Sequence, residues 1–197
     1  MGANTRLSLI CFSIGALTAS IGLAGCSSPP GPAANSAPSA AYPLSEVRLG
    51  GLVHDPLSPE RGSVDLSGEA LFVKPYTSSN PLWNVLLPRP DIGGTANFAG
   101  KTSEAYAGLA WDYDVTSWLF AEGTFGGSVN DAHTGDHVPP GYNAMGCDAS
   151  FRESGSAGFR LTQNWSVMAT IEHMSNANLC AENRGLTNAG VRIGYTF

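Results

Sequence analysis

The sequence predicts an all-β protein: an eight-stranded antiparallel transmembrane β-barrel behind a disordered N-terminal signal and tether. Three observations predict it. A succession of strand-like segments has the length of a bilayer crossing, the N-terminus reads as an export signal, and the final segment alternates apolar and polar residues up to Phe197. Tilted strands of about 9–11 residues span a membrane when the sheet closes on itself.

Residues 1–25 read as a lipoprotein-type signal peptide. Arg6 supplies the positive start, and Leu7 to Ala24 form a mostly apolar run broken by small residues. The run ends at Leu23-Ala24-Gly25-Cys26, a small-residue cleavage context that resembles a lipobox, with cleavage before Cys26 and acylation of its thiol. The plainer alternative is an ordinary secretory signal cut nearby, with Cys26 incidental. Both take the chain out of the cytoplasm. Residues 26–44 are rich in Pro, Ala and Ser and lack periodicity, as an extended tether does.

The barrel domain spans 45–197. Strands are expected over Ser45–Asp55, Val64–Lys74, Asp91–Ala99, Ser103–Tyr113, Trp118–Ser128, Asp148–Leu161, Trp165–Ser175 and Thr187–Phe197. Asp114-Val115-Thr116 and Thr162-Gln163-Asn164 are tight connections, whereas Val129–Gly146 and Asn176–Leu186 are longer and polar. Short turns at one end and long loops at the other are the pattern of an outer-membrane barrel. Pro75–Pro90 breaks it, being a long link where a tight turn is due. In the last strand Val191, Ile193, Tyr195 and Phe197 alternate with Arg192, Gly194 and Thr196. A terminal aromatic on such a strand resembles the end of bacterial barrel proteins. A soluble sandwich alternates too, but it would not combine this ending with an export signal and only 13% charged residues.

Bulk properties exclude other classes. A net charge of −6 and no basic stripe leave nothing to meet nucleic-acid phosphates. With 43% hydrophobic residues the chain as a whole is not disordered. Beyond the signal no stretch of eighteen apolar residues offers a transmembrane helix. Gly50-Gly51 and Gly126-Gly127 precede no helix and are not phosphate loops, so no cofactor is expected. Asp131, His133, Asp136 and His137 share a loop, where solvation explains them better than a metal site; no metal is expected. Cys147 and Cys180 are the two cysteines of the body, and in an oxidising compartment they are expected to pair.

Chemistry concentrates on the seventh strand. Trp165, Val167, Ala169 and Ile171 share one face, and the row continues through His173 and Ser175. Ser166, Met168, Thr170 and Glu172 share the other face. An imidazole and a hydroxyl at the end of a lipid-facing row sit about 6.5–7 Å apart at the Cα atoms, at the membrane boundary. Imidazole titrates near neutrality and can take the proton of a serine nucleophile, which points to acyl transfer. A histidine at headgroup level, hydrogen-bonded to a loop, is the bland alternative.

His173-Met174-Ser175-Asn176-Ala177-Asn178-Leu179, then Asn183-Arg184-Gly185-Leu186-Thr187-Asn188 and the terminal strand, resemble the outer-membrane lipid A deacylase family, the acyloxyacyl hydrolases. The likeness is strongest over Glu153–Phe197 and extends from about Arg89. It implies an eight-stranded outer-membrane barrel that cleaves an ester-linked acyl chain of lipid A in lipopolysaccharide, without a metal, by a Ser-His-acid set on its outer wall. By position Ser175 is then the nucleophile and His173 the general base. The family's acidic residue falls on Thr187, a departure. If Thr162-Gln163-Asn164 is a three-residue turn, Glu153 lies opposite His173 and is the first candidate acid; Glu182, on the loop after Ser175, is the second. Asn176 and the amides of Asn176–Asn178 are available to an oxyanion. A Cys147–Cys180 bridge would tie the long loops over this site. Two rival readings are a non-catalytic barrel that has lost its acidic partner and a soluble periplasmic lipoprotein.

Overall fold

In the computed structural model the described residues are 43–135 and 137–197. Eight strands run β1 (Leu44–Val53), β2 (Val64–Phe72), β3 (Arg89–Asn97), β4 (Glu104–Asp114), β5 (Leu119–Asn130), β6 (Ala149–Arg160), β7 (Trp165–Ser175) and β8 (Leu186–Thr196). Each pairs antiparallel with its sequence neighbours, and β1 pairs with β8, closing the barrel. The predicted strands match these to within a few residues. The signal, the tether through Tyr42, Cys26 and Asp136 lie outside the described residues.

The side-chain period of two sorts every strand between two environments. On β7, Ser166, Met168, Thr170, Glu172 and Met174 are buried inside, while Trp165, Ala169 and Ile171 are exposed outside. Leu49, Leu66, Ile92, Leu109, Phe125, Phe159, Val191 and Ile193 extend the same apolar belt around the wall. At one end Trp165 packs on Tyr195 (4.9 Å between centroids) and Tyr195 on Phe197 (5.4 Å), with Trp118 stacked on Phe159 nearby. Such an aromatic girdle marks a bilayer–water boundary.

The interior is filled by ion pairs. Arg48, Arg152 and Arg192 are almost fully buried. Glu172 Oε2 accepts from Arg152 Nη2 at 2.7 Å and from Arg192 Nη2 at 2.6 Å. Arg48 meets Glu69 at 3.0 Å and also pairs with Glu46 and Glu122. The Arg152 guanidinium lies 3.5 Å above the Tyr106 ring. Each of these three buried guanidinium groups therefore has carboxylate partners in place of water.

The link between β2 and β3 holds a short helix that the sequence reading did not expect, α1 (Pro81–Leu86). Asn80 caps it by accepting from Leu82 N–H at 3.0 Å, and Pro81 occupies the first turn, where its missing N–H costs nothing. Trp111 Nε1–H donates to Leu86 O at 3.0 Å and holds α1 against β4. With the ends of β1, β4 and β7, α1 borders a cavity of about 640 Å³ at the short-turn end of the barrel. No helix among the described residues is long and apolar enough to cross a membrane.

At the opposite end the long loops are joined through one buried imidazole. His54 is fully enclosed, with Nδ1 2.8 Å from Asp65 Oδ2 and Nε2 2.9 Å from Glu60 Oε2. Glu60 also accepts from Thr102 Oγ1 (3.1 Å) and from Asn143 N–H (2.8 Å), so one carboxylate binds three loops. Burial opposes the charge on His54, but its bonds to Asp65 and Glu60 outweigh that and hold it up at about 9. Burial likewise pushes Glu60 up, and the His54 bond with the Asn143 and Thr102 donors outweighs it, bringing Glu60 down to about 2.

Two predictions follow from these charges. Glu172→Ala takes the nearest carboxylate from two buried guanidinium groups, leaving them the longer pairs with Glu104 and Glu69, and should destabilise the folded barrel by about 3 kcal/mol, read from the urea midpoint in lipid vesicles; an unmoved midpoint would contradict the pairing. For the loop clamp, His54 stabilises fully below its unfolded value of 6.5 and stops doing so as pH rises through about 9. Glu60 stabilises above 4.5 and stops as pH falls toward about 2. Protection of the 54–63 amides, corrected for intrinsic exchange, should peak between these limits and fall on the alkaline side; flat protection up to pH 10 would remove the clamp.

Candidate active site

The end of β7 lies at the long-loop end, and its outward row carries His173 and Ser175 past the apolar belt. Antiparallel register places Glu153 of β6 opposite His173 on one side and Thr187 of β8 opposite it on the other. Ser175 faces Phe151. The tight turn after Leu161 sets this alignment, through Leu161 N–H to Trp165 O at 2.8 Å.

His173 is held from two directions. Its Nδ1 lies 2.8 Å from Thr187 Oγ1. Its Cε1 and Nε2 lie over Gly185, where an added Cβ would stand 2.9 Å and 3.3 Å from them. Gly185 has φ +68°, a left-handed conformation in which other residues are strained. The Asn183-Arg184-Gly185 turn therefore makes room for the ring while bending the chain into β8. Among the described residues no hydrogen bond joins Ser175 to His173, or Glu153 to His173.

Glu153 is exposed on the outer wall, one strand from the imidazole. Glu182 is exposed on the loop, and its backbone carbonyl, not its carboxylate, is tied to this region: Asn176 Nδ2 donates to Glu182 O and to Met145 O, both at 2.6 Å. Asn176 N–H donates to Asn183 Oδ1 at 2.9 Å. Asn176 is thus buried with its donors committed, and it knots the β5–β6 and β7–β8 loops. Ala177 and Asn178 follow at φ +53° and +62° on the exposed turn beside Ser175.

Cys147 and Cys180 form the expected disulfide, with Cα atoms 6.1 Å apart, across the same two loops. It borders a groove of about 420 Å³ on the outer wall, lined by Phe125, Gly127, Ala149, Phe151 and Leu179. Phe125 and Phe151 stack at 6.1 Å and floor its entrance from the apolar belt. His133 leans edge-on against Tyr142 (4.7 Å).

Sequence reasoning missed Asp55. It is buried in the β1–β2 loop, 132 positions from Thr187, whose N–H donates to Asp55 Oδ1 at 3.2 Å. Asp55-Pro56 after a strand signals a turn and nothing more; the association exists only because β1 closes onto β8.

A family model for lipid A 3-O-deacylase (PagL) matches residues 92–196, a little over half of the chain. No curated protein matches. Among solved structures, the crystal structure of the outer membrane enzyme PagL shares the fold with a TM-score of 0.60 at 14% identity, over 78% of this chain and 100% of that one. A de novo designed transmembrane β-barrel gives 0.49 at 17% identity, over 79% and 96% of the two chains. The Yersinia pestis outer membrane protein Ail gives 0.44 at 12%, over 79% and 100%. With the closed barrel, its apolar belt and the matched segment containing His173, Ser175 and Thr187, this chain belongs to the lipid A 3-O-deacylase (PagL) family of the outer membrane.

Proposed function

We propose that the protein hydrolyses an ester-linked acyl chain of lipid A at the outer wall of its barrel, with Ser175 as nucleophile and His173 as general base. The observation that carries this reading is the placement of both side chains, outward and at the bilayer boundary, inside the segment that matches the family model. The family's description places the ester at the 3-O position.

The tautomer that suits the reaction has Nδ1–H donating to Thr187 Oγ1, which leaves the Nε2 lone pair free. Nε2 takes the proton of Ser175 as Oγ attacks the ester carbonyl carbon. The oxyanion meets the backbone amides of Ala177 and Asn178, which lie on the exposed turn beside Ser175 and carry no hydrogen bond among the described residues. Collapse breaks the ester bond, and the leaving sugar oxygen takes the proton from His173. Water then repeats the sequence on the acyl-enzyme, releasing the fatty acid and restoring Ser175. The 420 Å³ groove between Phe151 and Leu179 accepts acyl chain beside the nucleophile. One observation favours the non-catalytic alternative: Thr187 brings no charge to the imidazole.

Mass spectrometry of lipid A from cells expressing the protein should show loss of one acyl chain, and cells expressing Ser175→Ala should show none. Unaltered lipid A in both would leave a barrel without this activity. Gly185→Ala places a methyl against the imidazole at a strained φ and should lower kcat/KM about 100-fold while the heat-modifiable folded band persists; full activity would show that the ring does not need that space.

A further inference from the structure

We infer that Asp55 is the positioning carboxylate of this site, acting on His173 through Thr187. The inference rests on the esterase reading above and supplies what that reading lacks, a negative charge behind the imidazole.

The chain of contacts is short. Thr187 Oγ1 holds His173 Nδ1 at 2.8 Å, and Thr187 N–H donates to Asp55 Oδ1 at 3.2 Å. Asp55 Oδ2 accepts from Asn143 Nδ2 at 2.6 Å, and Asp55 N–H donates to Asn188 Oδ1 at 3.1 Å. Asp55 therefore grips β8 at Thr187 and Asn188 and sets where the Thr187 hydroxyl stands.

Its charge is also unspent. The donors on Asp55 are neutral, and no salt bridge among the described residues includes it. The adjacent cation, His54, is taken by Asp65 and Glu60. At 5% exposure the Asp55 field is poorly screened, and Thr187, bonded to both, is all that links it to the imidazolium that forms when Ser175 is deprotonated. Asp55 keeps this place at φ +34°, a conformation non-glycine residues rarely hold. A carboxylate behind a histidine orients it and stabilises its protonated form without touching substrate. Here the same two tasks are divided: Thr187 makes the bond, and Asp55 fixes Thr187 and supplies the charge. The other charged groups around the imidazole are Glu153 across the β6–β7 pair, and Glu182 and Arg184 on the β7–β8 loop; all three are exposed to solvent screening.

The test uses the full-length protein in lipid A-containing micelles, with kcat and KM measured across pH and folding checked by heat-modifiable mobility. Asp55→Asn should lower kcat/KM at least tenfold, well short of the roughly 10⁴-fold loss seen when a directly bonded carboxylate is neutralised. The loss should fall on kcat, and the acid limb of the profile should move to lower pH as the imidazolium loses support. Thr187→Val should reproduce it, and Thr187→Ser should not. In a Thr187→Glu background, with the carboxylate placed directly on the ring, the further loss from Asp55→Asn should shrink to less than about threefold.

Two outcomes would overturn the assignment while leaving the esterase reading intact: an Asp55→Asn enzyme as active as the parent, or equal losses in both backgrounds with no movement of the acid limb. Inactivity of the parent on lipid A, whether or not Thr187→Glu is active, would take the esterase reading down, and this inference with it.

Discussion

Closure of the sheet by β1 against β8 is the constraint from which the rest follows. A closed sheet has no edge to hide, and it gives each side chain one of two destinations, interior or bilayer. Charges sent inward had to find counter-charges, and the arginine–glutamate lattice is the result. Residues sent outward had to be apolar. Against that rule Glu153, His173, Ser175 and Thr187 form one polar patch on three adjacent strands, at the rim where lipid gives way to water. Polarity kept in such a place has a cost, and the proposed reaction at that rim would account for it.

The same closure joins loops that the sequence keeps far apart. Starting from the enclosed His54, the chain turns through Asp55 to Thr187 on β8, and from Thr187 to the imidazole on β7. A second tie runs through Asn176 and the disulfide to the β5–β6 loop. The candidate site is thus mounted on adjacent strands and braced by the β1–β2, β5–β6 and β7–β8 loops, which stiffen it beyond the bond between His173 and Thr187.

Strand periodicity made most of this legible in advance. Alternation on β7 placed His173 and Ser175 outward, and a three-residue turn was enough to set Glu153 across from His173, as the register shows. Thr187 was flagged by its motif position, and its bond to Nδ1 gives that flag a physical content. What stayed illegible was whatever depends on tertiary closure. Asp55 carried only a turn signal, and nothing in β1 announces a contact with β8. Asn176 was expected to be open to a ligand because it follows the serine, but burial against two carbonyls spends its amide. Helix α1 was a missed local signal rather than a missing one: Asn80-Pro81 is a cap followed by a first-turn proline.

A barrel packed with ionic side chains has a further consequence. Nothing approaches the rim through the middle, so a lipid ligand must arrive sideways, by lateral diffusion within the leaflet. Its effective concentration is then a mole fraction of the surrounding lipid, and adding inert amphiphile slows encounter without changing how much ligand the tube contains. Such a protein samples membrane composition, and its turnover reports crowding in two dimensions.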